Sequence, residues 1–140
     1  MKPLQAFYAA TGILNYTSTL TKDDGLTKAD NAKALLEMEH IIATDAKASL
    51  LYALKIKRPF RDGELAISLD PECARIYATD VIGGKFLPGE PAIATSDKDS
   101  YYYAYWALKA PFPAGEQTIY KNEEYLDLYL QKVVGRQSNI

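Results

Sequence analysis

The sequence predicts an all-α protein: a short α-solenoid of about four two-helix repeats behind an N-terminal cap. Three observations predict it. The first is an internal repeat. Glu64, Ile67, Tyr77, Ala78, Phe86 and Gly89 recur 26 residues later as Glu90, Ile93, Tyr103, Ala104, Phe112 and Gly115. A further step of 26 reaches Glu116, Ile119 and Tyr129, with Leu130 in the alanine's place. Backwards the step is 25, to Glu39, Ile42, Asp45, Tyr52 and Ala53. A fixed period of this size marks stacked supersecondary units, none of which buries its apolar face alone. The second observation is a set of N-cap residue types at one register: Asp45, Asp70, Ser96 or Asp97, and Asn122. The third is helical spacing after each cap. Ala74, Tyr77, Ala78 and Val81 lie at i, i+3, i+4 and i+7, as do Ser100, Tyr103, Ala104 and Ala107.

Taken in order, the chain begins with Leu4, Phe7, Tyr8 and Thr11 on one helical face and Gly12 as a stop, which predicts a short helix. Residues 13 to 26 read as an irregular or extended linker with an Asp-Asp-Gly turn signal. A strong helix follows from Thr27, rich in Ala, Leu, Glu and Lys, with Ala32, Leu35, Leu36, Met38 and Ile42 as its apolar face. Residues 1–38 are thus the cap and leading helix of a single domain, residues 39–134 the four repeats, and residues 135–140 a frayed tail.

Each repeat is expected to hold two helices. The first is about two turns long and opens near Glu64, Glu90 or Glu116, where a carboxylate favours the positive end of the helix dipole. The second opens at the N-cap residue, with Pro71 at a position where a missing N–H costs nothing. Gly83-Gly84 ends it, and a Phe-x-Pro-x-Gly loop leads to the next copy. The first copy is one residue short between Tyr52 and Phe60, and that deletion is assigned to a loop.

The stretch GlyGluProAlaIleAlaThr, then TyrAla, with GlyLysPheLeuProGlyGlu between copies, resembles a tandem repeat of uncharacterised proteins from tailed bacteriophages and some bacteria. The resemblance covers residues 39 to 134. It implies a phage origin and action inside a bacterial cell, and it implies no particular activity.

Composition narrows the function classes. A formal charge of −2 and the lack of any basic run argue against nucleic acid as a partner. No stretch approaches the ~20 apolar residues of a membrane span, and the N-terminus lacks a signal-peptide pattern, so the expected localisation is cytoplasmic. The lone cysteine, Cys73, excludes an internal disulfide and reads as a half-buried structural thiol.

No residue pattern announces an enzyme. The repeating glutamates lie one unit apart, whereas acid–base catalysis needs groups converging on one substrate. His40 is the only histidine and has no ligand-spaced or triad companions, so neither a metal nor a cofactor is expected. The residues that stand out are aromatic. Tyr101, Tyr105 and Trp106 occupy positions held by Arg75, Thr79 and Asp80 in the preceding copy and by Asp127, Gln131 and Lys132 in the next. Those are solvent-type residues. Exposed Tyr and Trp are interface hot-spot types. The expected function is therefore non-enzymatic protein binding through Tyr101, Tyr105 and Trp106, with Arg75 and Lys98 beside them. By resemblance the partner is a bacterial host or defence protein that the binder inhibits. The alternative is a self-assembling homo-oligomer.

Overall fold

The computed structural model describes residues 1–138 and shows an all-α chain, with no strand among those residues. Helix α1 spans Pro3–Thr17, a 3₁₀ turn spans Lys22–Asp24, and α2 spans Gly25–Ile42. The four second helices of the repeats begin at α3 (Ala46–Ile56), α5 (Pro71–Ile76), α7 (Asp97–Tyr102) and α9 (Glu123–Tyr129). Between them lie the short first helices α4 (Glu64–Ser68), α6 (Glu90–Ile93) and α8 (Glu116–Tyr120), each entered through a three-residue 3₁₀ turn. A final α10 covers Gly135–Ser138. The tail assigned to residues 135–140 is thus helical as far as Ser138, and residues 139 and 140 lie outside the described residues.

The caps are made as the residue types dictate. Asp45, Asp70, Ser96 and Asn122 each accept a backbone N–H from the first turn of their helix through the side chain. At the third unit the cap is Ser96, and Asp97 is the first helical residue.

Inside the array one arrangement repeats. Tyr52, Tyr77, Tyr103 and Tyr129 are fully buried. Their hydroxyls donate to the carboxylates of Glu39, Glu64, Glu90 and Glu116 at 2.5–2.8 Å. The hydroxyls of Tyr77, Tyr103 and Tyr129 also accept the backbone N–H of Phe60, Phe86 and Phe112 at 3.0–3.2 Å. Each of those phenylalanine rings meets the preceding unit's tyrosine edge-on, with centroids 4.9–5.0 Å apart. One phenylalanine therefore joins two units, by its ring to one and by its amide to the other. Buried polar groups need such partners, and no buried side-chain N or O among the described residues lacks one.

This pairing refines the role of the glutamates. Glu64, Glu90 and Glu116 do occupy helix first turns. Glu39 lies near the C-terminal end of α2, where the dipole argument fails, yet it still receives the Tyr52 hydroxyl. The tyrosine bond is the property common to all four.

Units dock closely because glycine meets a small residue. A Cβ on Gly115 would lie 2.4 Å from Ser100 Oγ, and one on Gly89 would lie 2.7 Å from Ala74 Cβ. Packing runs from neighbour to neighbour, α3 on α5, α5 on α7 and α7 on α9. That is the nearest-neighbour pattern of a short solenoid.

Three expectations are corrected. The residue missing from the first copy is missing from a helix. The left-handed residue that ends the second helix follows the core tyrosine by five positions in the first unit (Lys57) and by six in the next two (Gly83, Lys109). From that residue to the phenylalanine the count is the same in all three. The additional residue is absorbed by a π-helical turn at Tyr77–Ile82 and Tyr103–Leu108, and the fourth unit has one at Leu130–Val134.

The second correction concerns the N-terminus. Helix α1 continues through Gly12 to Thr17, so much of the expected linker is helix. Its buried face is Ala6 and Ala10, with Phe7 and Leu14 packed beside them, while Leu4 and Tyr8 are exposed. Small residues win here because α1 lies close against α2 and α3. Lys2-Pro3, Ala6 and Ala10-Thr11 share the spacing of Asp70-Pro71, Ala74 and Ala78-Thr79, and both threonines bond back to the carbonyl four residues earlier. The cap thus imitates a second helix.

The third correction is on α2, where Leu35, Met38 and Ile42 pack inward but Ala32 and Leu36 are exposed. Helix α2 packs chiefly against α1, which covers one side of it, so its buried stripe is narrower than the sequence pattern.

Candidate functional site: an aromatic groove on the second helices

The five residues singled out from sequence do not share one environment. Tyr101 is only 4 % exposed and belongs to the core, which corrects its assignment as a binding residue. It stacks on Tyr105 at 5.8 Å and contacts Tyr102 and Tyr125 at 4.9 and 5.9 Å. The physical reason is its column. The equivalent residue in the first unit is Leu50, also buried, so the position lies at the junction between neighbouring second helices. Burial raises the Tyr101 hydroxyl above its ordinary pKa.

Arg75 occupies the same column one unit earlier and is half-buried. Its Nε donates to Asp99 of the next unit at 2.9 Å, and its guanidinium lies 5.5 Å from the Tyr102 ring centroid. Arg75 is therefore first a clamp between units. Tyr105 is half-buried between the Trp106 ring, met edge-on at 4.7 Å, and the Arg136 guanidinium, 4.7 Å from its centroid. Trp106 is 51 % exposed. Lys98 is exposed at the start of α7, away from the tryptophan.

The structure brings Trp106 and Arg75 together around a groove of about 320 Å³ whose other walls are Ile76, Thr79 and Asp80. A second groove of about 530 Å³ lies between α3 and α5, lined chiefly by Leu50, Leu51, Leu54, Cys73 and Ile76, with Lys47, Asp70 and Glu72 at its edges. Ile76 borders both grooves. The Cys73 thiol in the wall of the second is pushed up to about 12, first by burial and then by the Asp70 carboxylate, which leaves it protonated and unreactive near neutral pH.

Among the described residues no three His, Cys, Asp or Glu side chains converge on a metal-sized site. The unit glutamates are engaged by tyrosine hydroxyls, and His40 is exposed on α2. What the two grooves offer is aromatic and aliphatic surface edged by charge.

Sequence reasoning passed over Tyr102, Tyr125, Ile76 and Arg136. For the first and third the signal was present: Leu51, Ile76, Tyr102 and Leu128 are apolar in all four copies of one column, which lies outside the buried stripe. Arg136 had no such signal, because it lies beyond the repeated text. No helix of the described residues is long and apolar enough to cross a membrane. No family model matches the chain, and neither a curated protein nor a solved structure matches it significantly.

Proposed function

We propose that this is a non-enzymatic protein-binding repeat protein, in which the outer face of the second helices engages another protein chain. The observation that carries the reading is Trp106, a large aromatic side chain half exposed at the wall of a groove, with Tyr105 and Arg75 fixed beside it. Tyr, Trp and Arg are the types that dominate binding energy at interfaces, and here their rotamers are already restrained by neighbours, which lowers the entropy cost of docking. A solenoid suits the task, because its outer positions vary without disturbing the column that holds the units together. Through its resemblance to phage repeats, the partner is a bacterial host or defence protein, bound in the bacterial cytoplasm and thereby inhibited. The test is retention of a partner from bacterial lysate, followed by its affinity for the purified protein. Trp106→Ala combined with Tyr105→Ala should leave helix content unchanged and weaken binding by more than ~2 kcal/mol. Equal affinity of the variant and the wild type would end the proposal.

Self-assembly is the second reading, and the order of charges on this face favours it.

A further inference from the structure

Two columns on the second helices differ from the rest in their chemistry. Two residues after each N-cap stand Lys47, Glu72, Lys98 and Glu124, all exposed and alternating in sign from unit to unit. None of the four side chains takes part in an ion pair among the described residues. Four residues further along each helix stand Leu51, Ile76, Tyr102 and Leu128, an apolar spine that is half-buried in every unit. Residues at i and i+4 share a helix face, so the charged column flanks the spine along its whole length.

We infer that this face is occupied by a second copy of the chain, in a two-fold dimer whose axis passes between the second and third units. The inference rests on the reading of the face as a protein-binding surface, and it names the occupant. The order plus, minus, plus, minus becomes its own complement when reversed. A two-fold axis parallel to the second helices reverses the order of units and keeps each column opposite itself. Lys47 then meets the partner's Glu124, and Glu72 meets the partner's Lys98. Each pair occurs twice. Along the spine, Leu51 opposes the partner's Leu128 and Ile76 opposes the partner's Tyr102. The partner's Trp106 comes over the second unit, at the mouth of the groove of about 320 Å³ that Arg75, Ile76, Thr79, Asp80 and the chain's own Trp106 line. The like-charged meeting of Lys55 with the partner's Lys132 falls at the outer rim, where water and salt screen it.

The size of the face fits this use. The second helices run for 11 residues in the first unit and 12 in the others, about 17 Å at 1.5 Å per residue. Four of them at about 10 Å spacing make a face of about 700 Å², close to the ~800 Å² each partner gives to a standard stable interface. A partner protein that needs Trp106 would have to separate the two copies, so dimer and complex would compete for one surface.

Light scattering on the purified full-length protein, across concentration, tests the inference. Wild type should run at twice the chain mass of 15.6 kDa. Lys98→Glu should raise the dissociation constant roughly a hundredfold or more by setting like charges together at two places, with an unchanged circular dichroism spectrum. Adding Glu72→Lys to Lys98→Glu should restore the dimer. A monomeric wild type, or a Lys98→Glu protein that dimerises like wild type, overturns the inference, as does failure of the double reversal to rescue a folded protein. A monomer that still binds a partner through Trp106 overturns the dimer alone. A charge-sensitive dimer indifferent to Trp106 and Tyr105 in partner binding supports the dimer and removes the wider reading.

Discussion

The core-tyrosine column and the column two residues before it make an instructive pair. Tyr52, Tyr77, Tyr103 and Tyr129 are identical in residue, burial and hydrogen bonding to a glutamate. Leu50, Arg75, Tyr101 and Asp127 stand two residues earlier on the same helices and share nothing in residue type. Their environments run from buried leucine and tyrosine through a half-buried, ion-paired arginine to an exposed aspartate at the last unit. The first column has one solution because each buried hydroxyl must meet a glutamate carboxylate, and in the last three units a backbone N–H as well. The second lies at the seam between units, where packing, charge pairing and solvent all satisfy the backbone equally. Constancy marks what holds the array together. Variation marks freedom, which is a different thing from exposure.

The sharpest way to break this comparison is truncation in both columns. Tyr103→Ala removes a fully buried ring and two hydrogen bonds, and should cost about 3–5 kcal/mol, as large core truncations do. Tyr101→Ala should cost about 2–3 kcal/mol, because its ring is packed at the seam. Asp127→Ala, in the same column as Tyr101 but exposed, should change stability by less than about 0.5 kcal/mol. Urea midpoints at constant m-value report all three. A Tyr101→Ala protein as stable as Asp127→Ala would return Tyr101 to the exposed surface.

A smaller effect separates the columns by pH. Burial first, and then the hydrogen bond to glutamate, holds the hydroxyls of Tyr52, Tyr77, Tyr103 and Tyr129 far above the ordinary tyrosine pKa of 10.0. The unfolded chain releases those protons near pH 10 while the folded chain keeps them. Above that pH the unfolded state binds fewer protons, so stability falls as pH rises. Below pH 10 the contribution is complete. Melting temperature should therefore decline steeply above pH 10, and Tyr103→Phe should make the decline shallower. The same substitution should cost about 1–3 kcal/mol at neutral pH, because the Phe86 N–H loses its buried acceptor. An alkaline slope identical in wild type and variant would mean that Tyr103 ionises within the fold.

These columns also explain what the sequence disclosed. The helix class, the caps and the buried stripe were readable because each follows from local residue types at fixed spacing. The Glu–Tyr bond was not. Its partners are 13 residues apart, a separation belonging to no single helix. Tyr101 misled because only Arg75 and Asp127 were compared with it, and Leu50 would have shown the column to be apolar at the other end of the array. The groove beside Trp106 could be guessed from its aromatic wall but not from Thr79 and Asp80, which a π-helical turn brings to it. In α1 the apolar face was displaced by one position, since large residues attract attention while Ala6 and Ala10 do the packing.

The finest test concerns how a second helix ends. The chain turns through a left-handed residue at Lys57, Gly83 and Lys109. Only Gly83 announces itself, which is why a one-residue difference inside the helix passed for a shorter loop. A lysine with φ of 58° carries a steric penalty that glycine does not. Glycine loses more entropy on folding, and the two effects partly cancel. Lys57→Gly should therefore stabilise the array by about 0.5–1 kcal/mol, roughly 2–4 °C in melting temperature. Gly83→Ala should move it the other way, because open space around Gly83 leaves backbone strain as the one cost. An unchanged midpoint in Lys57→Gly would mean that the lysine stem packs well enough to offset its strained backbone. The first unit would then owe its regular helix to that side chain as well as to the residue it lacks.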